Sequence, residues 1–163
     1  MFKLTDLGSA ITTKVVRVRG AEITVRALST WESHFIREHL IGIPIARRDA
    51  AGNSVADAEF DKAMSAYLRR SRIADLAAAI DYQTTSGLTF KAPTEADKAD
   101  KAAFQGLVNA GAAWRLEAIR ELETTLTAAE ISRIAEVYDK LCEGDIVESA
   151  LGNSSLPLRP AGV

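Results

Sequence analysis

The sequence predicts a mainly α-helical domain opened by a short N-terminal β-hairpin, an α+β fold, on three observations. Alanine is abundant while aromatic residues make up only 6% of the chain, a balance that suits helices packed closely through small side chains. Between residues 13 and 28 the chain turns β-branched on both sides of Gly20-Ala21. Beyond residue 29 apolar residues recur at three- and four-residue spacing, the period of one helix face.

The elements follow in order. Residues 1–12 read as a polar leader and 13–151 as one domain. Strands at 13–19 and 22–28 flank a two-residue loop whose glycine at the first central position suits a type II′ turn. That loop sets Arg19 opposite Glu22, Val18 opposite Ile23 and Val16 opposite Val25. Val16, Val18, Ile23 and Val25 then form an apolar stripe that an isolated hairpin cannot keep dry. The expected cover is the next helix, capped by Ser29 or Thr30, in which Trp31, Phe35, Ile36 and Leu40 share a face and Gly42 marks the end.

Residues 47–56 read as an exposed loop turning at Gly52-Asn53. A long helix is expected from Asp57 to about Tyr82, with Phe60, Met64, Leu68, Leu76 and Ile80 inside and Arg69, Arg70 and Arg72 in water. Glycine, proline and hydroxyls at 83–94 make a connection, with a short extended piece at 88–91. Thr94 is placed to cap a charged stretch through Lys101. A helix from about Ala103 to Thr124 should present Val108, Ala112, Leu116, Ile119 and Leu122, bent or broken by Gly106 and Gly111. The last helix opens on the capping box Thr127-Ala-Ala-Glu130, buries Ile131, Ile134, Ala135, Tyr138, Leu141 and Cys142, and ends at Gly144. From residue 152 to 163 two prolines and little apolar material predict a mobile tail. No period of the length used by solenoids repeats.

Composition narrows the function classes. The 163 residues fit one domain, and a hydrophobic share of 47% supplies a core. Acids and bases nearly cancel, 22 against 20, leaving a formal charge of -2 without the basic excess of a nucleic-acid binder. Cys142 is the one cysteine, so neither a disulfide within the chain nor a CxxC pair can be built, and a reducing cytoplasm is the natural compartment. The start of the chain has no basic, apolar signal-peptide pattern, and no run of eighteen apolar residues follows.

A search for chemistry returns no catalytic, cofactor or metal set. His34 and His39 sit about 140° apart around a helix, not stacked as ligands at four-residue spacing are. Cys142 falls on an apolar face, where a small hydrophobe is expected. Neither a GxSxG elbow, a phosphate-binding glycine loop, an HExxH pair nor an EF-hand loop occurs. The acidic residues lie on stretches polar enough to be solvated helix faces. Arg69, Arg70 and Arg72, with Arg47, Arg48 and Tyr67, raise the alternative of a phosphate patch, against which the overall charge weighs. Trp31 with Phe35 reads as packing over the hairpin. Trp114 falls beside the stripe of its own helix and is the candidate to face a partner.

The strand pair Val15-Val-Arg-Val-Arg-Gly-Ala-Glu-Ile-Thr-Val-Arg26, followed by Ala27-Leu-Ser-Thr-Trp-Glu32 opening a helix, resembles the tail assembly chaperones of long-tailed bacteriophages and related prophages. The resemblance is specific over residues 13–40 and general in helix content beyond. It implies a small helical protein of the bacterial host cytoplasm, not an enzyme, that coats the tape measure protein before tail tube subunits polymerise around it and then leaves the particle. In that family a longer form made by ribosomal frameshifting is common, which suits a loose C-terminal end. The family has no catalytic motif whose residues can be carried over.

Physically, a helical protein with spare apolar faces can cover the apolar stripes of a helical client. The candidate contact residues are Val16, Val18, Ile23 and Val25 of the hairpin, if the first helix leaves part of that stripe open, and Trp114. Homo-oligomerisation stays open. The rival readings are a structural subunit of a tail or connector that uses the hairpin for strand addition, a small nucleic-acid-binding regulator, and an enzyme of unfamiliar type.

Overall fold

The computed structural model of the chain describes residues 12–55 and 57–152, the side chains of 144–152 excepted. Two antiparallel strands, β1 (Thr13–Val18) and β2 (Ala21–Arg26), lead into α1 (Thr30–Phe35), which continues as a π-helical segment over Ile36–Ile41. Two-residue strands β3 (Arg47–Arg48) and β4 (Ser54–Val55) follow, then α2 (Ala58–Ala79), α3 (Glu95–Ala99), α4 (Lys101–Thr125) and α5 (Ala128–Gly152). The fold is a mainly helical α+β domain with an N-terminal hairpin. The expected polar leader over 1–11 and the mobile tail over 153–163 lie outside the described residues.

The hairpin turns one residue earlier than its sequence suggests. Arg19 and Gly20 both take positive φ, 51° and 81°, the conformation of a type I′ turn rather than II′. Val18 therefore pairs with Ala21, Arg17 with Glu22 and Val16 with Ile23. The expected pairs Arg19 with Glu22, Val18 with Ile23 and Val16 with Val25 are displaced. Each partner shifts by two positions, so side-chain parity is kept and Val16, Val18, Ile23 and Val25 still share a face. It is Arg17 that reaches Glu22, at 2.8 Å.

The larger correction concerns what covers that face. α5 lies on the hairpin, bringing Ile134, Tyr138 and Leu141 against Val16, Val18 and Val25, with Leu76 and Ala79 from α2 completing the cluster. α1 packs elsewhere. Phe35, Ile36 and Leu40 join Ile73, Ala77 and Trp114 in a second cluster between α2 and α4, with Trp31, Phe90 and Phe104 at its edge. Leu28, Ile80 and Leu126 touch both clusters and weld them into one interior.

Ser29 and Thr94 cap helices as expected, Ser29 in a reciprocal box with Glu32, while Asp57 and Asp100 add caps for α2 and α4, so that α4 starts at Lys101 rather than near Ala103. Gly42, at φ 78°, ends the π segment as a glycine past a helix end should. Faces read less well. The buried side of α2 is Ser71 and Ile73 to Ala79, while Phe60 and Met64 are half-buried and Leu68 is exposed. In α4, Trp114, Ala118, Ile119 and Leu122 point inward and Leu116 outward, and the helix runs unbroken past Gly106 and Gly111. α5 passes through Gly144 and continues to Gly152. Residues 47–55 of the expected loop are exposed and carry the small β3–β4 ladder around an Asp49–Gly52 turn, and residues 88–91 form no strand.

Candidate protein-binding groove

The expected contact residues are placed differently from their reading. Val16, Val18 and Val25 are 5%, 4% and 0% exposed, sealed by α5, because an apolar strand face gains more from burial than from waiting for a partner. Trp114 is fully buried as well: its ring packs against Phe90 at 5.1 Å between centroids and its Nε1 donates to the Tyr82 carbonyl at 3.0 Å. Of the five, Ile23 alone remains half-buried at the surface.

Ile23 opens onto a cleft of about 460 Å³ between β2, the end of α2 and the end of α4, lined on its apolar side by Ile80, Leu122 and Leu126. Leu126 also lines a second cleft, of about 490 Å³, with Ile73, Ile131, Arg69 and Glu123. Arg69 and Glu123 in turn line a third, of about 410 Å³, with Arg70, Arg115, Leu116 and Arg120. The shared lining residues set the three clefts side by side as a candidate groove along α4 from Leu126 back to Arg115, a span of about 17 Å at 1.5 Å per residue. One end combines Ile23, Ile80, Leu122 and Leu126 with the acidic Glu22 and Asp81, and the other carries guanidinium groups.

The arginine end has an unusual electrostatic state. Arg69 reaches Glu123 at 3.4 Å, but among the described residues Arg70, Arg115 and Arg120 make no ion pair. The Nε of Arg115 is buried and without an acceptor. Burial, and secondarily the charge of Arg70, lower the Arg115 pKa, the sign of a cation held in an environment that disfavours it. Sequence reading had grouped Arg69, Arg70 and Arg72 with Arg47 and Arg48. Instead Arg72 pairs with Asp139 and Arg47 with Glu59, and Arg115 and Arg120 come in from another helix. No spacing in the chain announces that meeting.

A fourth, polar cleft of about 490 Å³ sits where α1 meets α5, edged by Ser29, Ser33, Arg37, Tyr138 and Cys142. Beneath it lies Asp75, fully buried, whose Oδ2 accepts from Arg37 at 2.8 Å and from Ser33 at 3.2 Å while Oδ1 has no partner. Burial raises its pKa, opposed by the Arg37 bond. The pairing pins α1 to α2 and leaves the carboxylate unable to touch solvent. Cys142 is half-buried and hydrogen-bonds Tyr138. His34 approaches Glu38 at 3.0 Å, and His39 stacks edge-on with Phe104 at 5.2 Å. Among the described residues no cluster of three or more His, Cys, Asp or Glu is placed to hold a metal ion, and no helix is long and apolar enough to cross a membrane.

Compared with known proteins, the chain matches no family model, no curated protein and no solved structure.

Proposed function

We propose that this protein is a tail assembly chaperone of the kind found in long-tailed bacteriophages, working in the host cytoplasm without catalysis and holding the tape measure protein soluble until tail tube subunits assemble around it. The reading starts from the hairpin-then-helix opening over residues 13–40. The single structural observation that supports it is the open groove along α4, apolar at Ile23, Leu122 and Leu126 and cationic at Arg70, Arg115 and Arg120. A groove of that length and shape suits about three turns of a client helix laid into it. Enclosed reaction pockets converge polar groups on one point, whereas here the lining changes character along a line.

The test is co-expression with the tape measure protein of the same genome, with a tag on this chain. The expected result is a soluble client that co-purifies. A client that stays insoluble with and without this protein, with no complex eluting, overturns the assignment. Detection of this chain at stoichiometric level in purified particles overturns it too, in favour of a structural tail subunit.

A further inference from the structure

The unpaired guanidinium groups at one end of the groove say what its occupant carries. Of the twelve arginines in the described chain, Arg17, Arg19, Arg26, Arg37, Arg47 and Arg72 each meet a carboxylate at 3.0 Å or closer, while Arg48 and Arg133 stand apart without an ion pair. Arg70, Arg115 and Arg120 make none either, yet they converge on one cleft from two helices, with Arg69 and its partner Glu123 at the rim. Like charges held close together oppose folding, as the Arg70 charge does at Arg115, and a buried guanidinium donor with no acceptor costs a further fraction of its hydration. Arg70 and Arg120 are exposed, and of the buried residues of α4 Trp114, Ala118 and Leu122 do not line this cleft. An incoming carboxylate would relieve both costs at once.

The same cleft also presents Leu116, 62% exposed, with the buried Ile119 at 9% contributing only its edge to the lining. Free phosphate or a nucleic-acid backbone has no use for an exposed leucine, and no aromatic side chain lines the cleft for a base to stack on. A protein segment with both apolar and acidic side chains uses everything there. We infer that the groove binds an amphipathic helix of a partner protein, its apolar stripe along Leu126, Ile119 and Leu116 and its flanking Asp or Glu side chains on Arg70, Arg115 and Arg120. The inference deepens the chaperone reading by naming the chemistry of the client segment, and it stands or falls on different data.

The probe is a pair of dye-labelled 20-residue helical peptides with one leucine stripe, flanked in one by glutamate and in the other by lysine, titrated against the full chain by fluorescence anisotropy. Only the glutamate peptide is expected to bind, with affinity falling as salt rises. Arg70→Glu with Arg120→Glu should weaken it about tenfold or more, and Leu116→Ser severalfold. Arg70→Gln with Arg120→Gln provides a milder version if charge reversal perturbs the fold. Arg48→Glu, an exposed and unpaired arginine on β3, should change nothing. Equal binding of both peptides, no binding of either, equal loss with Arg48→Glu, or preference for a 20-base-pair duplex over the glutamate peptide would each overturn the inference. If wild type and the Arg70/Arg120 variant rescue the tape measure protein equally, the groove is wrong and the chaperone reading survives. If the glutamate peptide binds as expected but no client is rescued, the groove stands and the chaperone reading falls.

Discussion

Arg19 and Glu130, 111 residues apart in the chain, are joined by two hydrogen bonds: Nε donates to one carboxylate oxygen at 2.7 Å and Nη2 to the other at 2.8 Å. Nη2 also donates to the Thr125 carbonyl at 3.0 Å, and the same Glu130 closes the capping box with Thr127. One carboxylate thus starts α5 and ties the hairpin turn to it. Arg19 sits at φ 51°, a strained conformation for a side chain of its size, and the bidentate bond is the compensation.

That clamp predicts an acid-sensitive fold. The Arg19 hydrogen bonds, followed by the Thr127 amide, lower the Glu130 pKa from 4.5 to about 2. A depressed folded-state pKa contributes stability that is complete above 4.5 and is lost as pH falls through about 2. Asp75 runs the other way, because burial raises its pKa and protonation relieves the fold. Urea midpoints measured from pH 7 to pH 2 should therefore fall less steeply in Glu130→Gln than in wild type. Arg19→Ala with Glu130→Gln should be little worse than the worse single change, and full additivity would show that the two residues act apart.

Two glycines of α4 predict opposite outcomes for one substitution. A Cβ at Gly106 meets nothing within 4 Å, so Gly106→Ala should stabilise by about 0.5–1 kcal/mol through helix propensity. At Gly111 a Cβ would lie 2.8 Å from a Leu40 methyl, in a core where overpacking costs about 1–3 kcal/mol. Gly111→Ala should be neutral to destabilised by about 2 kcal/mol once the propensity gain is subtracted. Thermal melts of the two variants decide it, and a stabilised Gly111→Ala would mean that the π segment bearing Leu40 moves freely.

Trp114 should behave as an anchor of the core. Trp114→Phe removes the bond to the Tyr82 carbonyl and leaves a void, a loss of about 2–4 kcal/mol. Trp114→Ala should lose about 3–5 kcal/mol, so failed binding by that variant would report on folding, not on a contact surface. Denaturant unfolding followed by tryptophan emission checks both. A loss below about 1 kcal/mol for Trp114→Phe would contradict the burial.

The identity of the hairpin's cover can be read from a pair of leucines. Leu141 is 2% exposed between α5 and the strands, and Leu116 is 62% exposed. Leu141→Ala should cost about 2–5 kcal/mol and Leu116→Ala no more than about 0.5 kcal/mol. Similar values for both would mean that α5 does not seal the strands.

Much of the local structure was legible because its causes are local. Ser29 with Glu32 and Thr127 with Glu130 are three residues apart, so the caps that start α1 and α5 stand in the sequence itself. The shared face of Val16, Val18, Ile23 and Val25 follows from strand parity and survives a two-residue change of partner. The turn at Arg19-Gly20 was not legible. Gly20-Ala21 reads equally well from local chemistry, and what selects its neighbour includes a carboxylate 111 residues away.

Tertiary structure alone decided the rest. α1 and α5 both present apolar stripes of the right period, and nothing in periodicity says which one docks on a strand face. That choice comes from how volumes fill, with Phe35 and Trp114 large enough to need the space between α2 and α4. The arginine groove is the same case in polar form. Each of Arg70, Arg115 and Arg120 reads alone as a solvated surface residue, and the repulsion between Arg70 and Arg115 exists because two helices distant in sequence pack where they do. Sequence determined the order of the elements and the caps that start helices through interactions a few residues long. Only the packed chain determined which faces were closed, which groove stayed open and where charge was left unmatched, because those depend on distances that no spacing encodes.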